Sequence, residues 1–84
     1  MKSLFYRLII MRKIKILDSD ACDFIGYDKN TKLLRIQYIG GKIYEYFKVP
    51  IMFFTNLITA ESVGRYINAE IKPNFQFRMI QEWD

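Results

Sequence analysis

Leu33-Leu34-Arg35-Ile36-Gln37-Tyr38-Ile39-Gly40-Gly41-Lys42-Ile43-Tyr44-Glu45-Tyr46-Phe47 is the stretch that decides the fold. Two runs rich in β-branched and aromatic residues flank a pair of glycines, the pattern of a β-hairpin. Glycine accepts the positive φ that tight hairpin loops demand. With Gly40-Gly41 as a two-residue loop, Ile39 faces Lys42, Gln37 faces Tyr44, Ile36 faces Glu45 and Arg35 faces Tyr46. One face then carries Leu34, Ile36, Tyr38, Ile43 and Phe47, with Glu45 as the single exception. The other carries Arg35, Gln37, Lys42, Tyr44 and Tyr46.

Working outward, Cys22 to Tyr27 reads as a strand between the turn signals Asp18-Ser19-Asp20 and Asp28-Lys29-Asn30-Thr31. Further back, Lys13-Ile14-Lys15-Ile16 alternates with period two, as a half-buried strand does, and lysines are a usual protection of a sheet edge. Polyanion binding is the alternative use of those lysines. Downstream, Pro50 suits the first turn of a helix over Ile51–Ile58, which is apolar enough to be expected buried. A second helix is expected from Glu61 to Ile71, ending before Pro73. Val63, Ile67 and Ile71 form its buried stripe; Glu61, Arg65, Asn68 and Lys72 fall in one line on the other side. Phe75, Phe77 and Met79 alternate with Gln76 and Arg78 in a last strand.

The 84 residues allow one core. They hold 13 basic and 9 acidic residues, no histidine and a single cysteine. The absence of histidine removes the usual triads, two-histidine metal sites and the commonest acid/base at neutral pH. Cys22 alone excludes an intramolecular disulfide and a CxxC zinc site. Residues 1–17 carry five basic groups and no acid; residues 18–84 carry eight basic and nine acidic. The +4 net charge thus belongs to an amino-terminal arm, with Lys2 and Arg7 at its start. No apolar run approaches the ~18 residues of a membrane span, so no membrane association and a cytoplasmic location are expected.

Ile25-Gly26-Tyr27-Asp28, Gly41-Lys42-Ile43-Tyr44-Glu45-Tyr46, Val49-Pro50, Ala60-Glu61-Ser62-Val63-Gly64-Arg65-Tyr66-Ile67-Asn68 and Ile71-Lys72 follow one another in an order that resembles the KTSC domain. This module is named after the carboxy-terminal domain of some lysyl-tRNA synthetases, and it also occurs free-standing in bacteria and phages. The resemblance covers residues 19–77; Ile67 departs from it, since an aromatic is more usual there. It implies an α+β fold: a small antiparallel sheet, with the hairpin Leu33–Phe47 central, and two short helices packed on one face. Residues 18–84 form the KTSC-like domain, and residues 1–17 a basic arm or edge strand. For function the resemblance suggests RNA, through attachment to a tRNA ligase.

Two constellations are candidate sites. Tyr44 and Tyr46 beside Arg35 would offer stacking surfaces for bases with a cation at the edge; alternatively the tyrosines pack under the arm or a neighbouring subunit. Arg65, Asn68 and Lys72 would hold a phosphate and a base edge, with Ser62 at the helix start; alternatively this is a solvated face with Glu61 paired to Arg65. Gly64 permits the close approach of another element or a ligand. No catalytic set, metal set or cofactor emerges. The expectation is therefore a non-enzymatic, homo-oligomeric binding module for a nucleotide or cyclic nucleotide. Its genomic setting would be AT-rich and phage-like, where it would act as a sponge for an immune signal in the host cytoplasm. RNA and protein partners are the alternatives.

Overall fold

A computed structural model describes residues 11–83 of the chain. Lys2, Arg7 and the rest of residues 1–10 lie outside the described residues. Five antiparallel strands form one sheet in sequence order: β1 (Ile14–Lys15), β2 (Cys22–Asp28), β3 (Leu33–Tyr38), β4 (Ile43–Tyr46) and β5 (Phe77–Ile80). Between β4 and β5 run α1 (Ile51–Ile58) and α2 (Val63–Tyr66); α2 continues into a π-turn over Ile67–Ile71. This is the expected α+β unit, with the hairpin at the centre and the helices on one face.

β1 pairs Ile14 with Ile25 and Lys15 with Phe24, so this part of the basic arm is an edge strand. Ile16 packs on the core, while Lys13 and Lys15 reach over the Phe24 ring at 4.6 and 4.8 Å. In β2 the register shifts between Cys22 and Phe24. The extra residue turns Cys22 to the helix side and Phe24 to the reverse side, where regular alternation would keep both on one face.

The hairpin register differs from the expectation by one residue. Leu34 faces Tyr46, Arg35 faces Glu45, Ile36 faces Tyr44 and Gln37 faces Ile43. The loop is three residues long, Ile39-Gly40-Gly41: Tyr38 N–H donates to Lys42 C=O at 2.8 Å, and Gly41 N–H to Tyr38 C=O at 2.9 Å. Gly40 and Gly41 have φ of +100° and +103°, where only glycine is unstrained. A slip of one residue exchanges the faces of one strand relative to the other. Tyr44 and Tyr46 therefore join Leu34, Ile36 and Tyr38 on the helix side, while Arg35 and Glu45 share the reverse side.

The core gathers Ile25, Leu34, Ile36 and Tyr46 from the sheet with Leu57, Ile67 and Ile71 from the helical segment. Ile67 and Ile71 bear out the expected stripe, with Val63 packed beside them. α1 is less buried than expected: Leu57 is enclosed, but Ile51, Met52 and Ile58 are exposed. Tyr27 stacks on Phe54 at 4.9 Å and its hydroxyl donates to Val49 C=O, which anchors α1 to the sheet. Gly64 does permit a close approach, and the neighbour is the residue just before β2: a Cβ at this position would lie 2.9 Å from Ala21 Cβ.

Candidate functional site

On the helix-side face the sheet ends in a hollow of about 390 Å³, lined by Tyr38, Lys42, Tyr44, Tyr46, Lys72 and Phe77 with Ile39 at the rim. Its rings come from three adjacent strands, because the register places Tyr44 beside Ile36 and opposite Met79, and Tyr46 opposite Phe77. Tyr44 lies 5.0 Å from Phe77 and 5.4 Å, edge-on, from Tyr38. Tyr46, 5.7 Å from Phe77, is buried and forms the floor, whereas Phe77 is 54% exposed. The Tyr38 and Tyr46 hydroxyls bond to each other at 2.7 Å. Burial raises the pKa of both above the usual tyrosine value, further for Tyr38, where the hydroxyl partner adds to the rise. Both are neutral hydrogen-bonding groups at neutral pH, and neither is a ready base.

Two ammonium groups flank the rings. Lys42 follows the glycine loop, and Lys72 Nζ sits 5.4 Å above the centre of the Tyr38 ring. Lys72 arrives there by way of the π-turn: its N–H donates to Ile67 C=O, five residues back, at 2.9 Å. An inserted residue rotates everything after it relative to α-helical spacing. That breaks the expected line of Arg65, Asn68 and Lys72.

The sequence-derived site thus divides. Tyr44, Tyr46 and Lys72 come together in the hollow. Ser62 and Arg65 lie in a separate, open concavity beside Glu61 and Glu70. Ser62 acts there as a helix cap, its Oγ accepting from Arg65 N–H at 3.2 Å. Asn68 is exposed and lines neither depression. Arg35 is on the opposite face, buried, with Nε donating to Glu45 Oε2 at 2.9 Å and its guanidinium 5.1 Å from the Trp83 ring. It cannot serve as the cation beside Tyr44 and Tyr46, for the register reason given above.

Tyr38, Lys42 and Phe77 are the residues that sequence reading missed. A three-residue loop would have put Tyr38 on the face of Tyr44 and Tyr46, where strand alternation already placed Lys42, and would have opposed the hairpin's only acid, Glu45, to Arg35. Phe77 carried no local signal, since its ring partners Tyr44 and Tyr46 are some thirty positions away in the chain.

The sequence profile of the KTSC domain matches residues 18–75, well over half of the chain. The chain belongs to the KTSC domain family. A protein of Tsukamurella paurometabola is 38% identical over 60 residues, covering 71% of this chain and 90% of that protein. A lysine–tRNA ligase of Nostoc punctiforme is 39% identical over 55 residues, covering 66% of this chain and 10% of the ligase. The crystal structure of a KTSC domain protein from Yersinia pestis superposes with a TM-score of 0.78 at 33% identity, covering 84% of this chain and 99% of that one. The KTSC match includes Tyr38, Lys42, Tyr44, Tyr46 and Lys72 but stops short of Phe77, so β5 adds the most exposed ring of the hollow from outside the matched span.

Among the described residues no helix is long and apolar enough to cross a membrane, and no group of three or more histidine, cysteine or acidic side chains is placed to hold a metal ion.

Proposed function

We propose that this KTSC protein is a non-enzymatic binding module for a nucleotide, and that the hollow between Tyr38, Tyr44, Phe77 and the two lysines is its site. One observation carries the reading: exposed ring faces stand beside two ammonium groups, and no carboxylate lines the hollow. Ring faces stack on bases at about 1–3 kcal/mol each, and ammonium groups take phosphate. Arg35, Ser62, Arg65 and Asn68 do not line this hollow. A sequestering role, with oligomers of the chain holding a cyclic nucleotide, is the form of the reading that requires no catalytic group.

Native mass spectrometry of the purified protein, with heat release of any bound molecule, reports ligand and oligomeric state together. Calorimetric titration of Phe77→Ala and Lys72→Gln should show at least about ten-fold weaker nucleotide binding with unchanged melting, as loss of one stacking or charged contact implies. Wild-type affinity in both variants would overturn the site.

RNA is the second reading, favoured by the match to part of a lysine–tRNA ligase. The two separate on salt: contact with several phosphates makes affinity fall steeply with ionic strength, whereas one small ligand gives a shallow slope.

A further inference from the structure

Reading a base by its edge takes donors and acceptors held in fixed pairs, such as an amide, a carboxylate or free backbone groups. The hollow has none of these among its lining side chains. Two of its three hydroxyls, those of Tyr38 and Tyr46, are bonded to each other. The third, on Tyr44, rotates and serves as donor or acceptor, so it accommodates either pattern. Several backbone groups at the rim are engaged as well: Ile39 N–H donates to Ala21 C=O at 3.0 Å, and Tyr38 and Gly41 bond within the loop. At β5, Phe47 N–H donates to Gln76 C=O at 2.9 Å, and antiparallel bonding alternates from that pair. The N–H and C=O of Phe77 therefore point away from β4 in the plane of the sheet, not up toward a stacked base. The lining side chains thus offer ring faces, one rotating hydroxyl and two ammonium groups, which respond to a π-surface and an anion.

We infer that the hollow selects a phosphate-bearing planar ring and does not discriminate among bases, an inference that rests on the nucleotide-binding reading above. Its ligand class is a nucleoside phosphate of any base, stacked on Phe77 and Tyr44 with phosphate held by Lys42 and Lys72. Lys72 now stands over the Tyr38 ring. A bound phosphate draws its ammonium off that ring, which leaves the ring face for stacking.

The test is calorimetric titration of the full chain with AMP, GMP, CMP and UMP, with cyclic di-AMP and cyclic di-GMP, with adenosine, and with inorganic phosphate. Affinities within each set of phosphorylated ligands should agree to within ten-fold. Adenosine and inorganic phosphate should each bind at least ten-fold more weakly than AMP, and Lys72→Gln should narrow the gap between AMP and adenosine. A preference above ten-fold for one base within either set overturns the inference but leaves nucleotide binding standing. Adenosine binding as tightly as AMP overturns the role given to the lysines. Absence of binding to every nucleotide overturns both the inference and the reading beneath it.

Discussion

The two faces of the sheet handle charge in opposite ways. On the reverse face Glu45, 1% exposed, accepts from Arg35 Nε at Oε2 and from Arg78 Nε at Oε1, at 2.9 and 2.8 Å. Trp83 closes over this network: it lies on Gly26, beneath Lys13 at 5.4 Å, with its Nε1–H donating to Met11 C=O at 3.4 Å. On the helix side, Lys42 and Lys72 stand beside aromatic rings in a hollow without a carboxylate. Arg35 and Arg78 are matched by a buried acid, whereas Lys42 and Lys72 line a hollow that holds none. Net charge does not distinguish the two; strand register does.

The largest way to break this contrast is Glu45→Gln. Removing one member of a buried ion pair costs about 3–5 kcal/mol, so urea denaturation should show a loss of that order. A loss below about 1 kcal/mol would mean that the reverse face is held by its apolar cover and not by the pair.

Gly26→Ala comes next. A Cβ there would lie 2.6 Å from Trp83 Cζ2 and 2.7 Å from Met11 Sδ, so the tail must shift. Overpacking of this kind destabilises by about 1–3 kcal/mol, and tryptophan emission should move to the red as Trp83 becomes wetter. Unchanged emission would remove Trp83 from its place over the network.

On the helix side, Tyr46→Phe deletes the bond to the Tyr38 hydroxyl and should cost about 1 kcal/mol. The same pair sets an alkaline limit. Folding raises both pKa values, so the folded state keeps protons that the unfolded chain releases near the ordinary tyrosine value of about 10. Their contribution is intact below about pH 10 and is lost as pH rises beyond it. Tyr46→Phe should flatten that decline in melts taken across pH 9–11 (about one unit either side of the ordinary value); an unchanged slope would assign it to other groups.

The smallest effect is Asp23→Asn. It removes a 3.5 Å contact with the exposed Lys15, and pairs of this kind contribute less than about 1 kcal/mol. Because Lys15 also reaches over Phe24, the edge strand should keep its amide protection in hydrogen exchange. Loss of protection would make the ion pair, and not the ring contact, the edge's anchor.

Strand periodicity, the glycine pair, the proline that precedes α1 and the Ile67/Ile71 stripe are local signals, and the elements they announced are present, although α2 starts at Val63 and gives way to a π-turn at Ile67, and the last strand starts at Phe77 and not at Phe75. The same sequence carried a false note that pointed to its own correction. Glu45 stood alone among apolar residues on the expected core face; shifted by one residue, it meets Arg35 and the anomaly disappears. Two consecutive glycines are compatible with loops of two or three residues, so nothing within the hairpin forced the choice. What favours the longer loop is the packing of both tyrosines beneath the helical segment and of Glu45 between two arginines, one of which lies 33 residues away.

The sequence by itself determined the family, the α+β architecture, the edge character of the lysine strand and the concentration of positive charge before Asp18. Tertiary structure alone decided which side of the sheet each hairpin residue serves, and that Lys72 joins the tyrosines while Arg65 does not. Periodicity reports the relation of a residue to its near neighbours in the chain. Register, the π-turn and the approach of β5 depend on energies shared between residues far apart in sequence, and those energies divide this sheet into a sealed face and an open one.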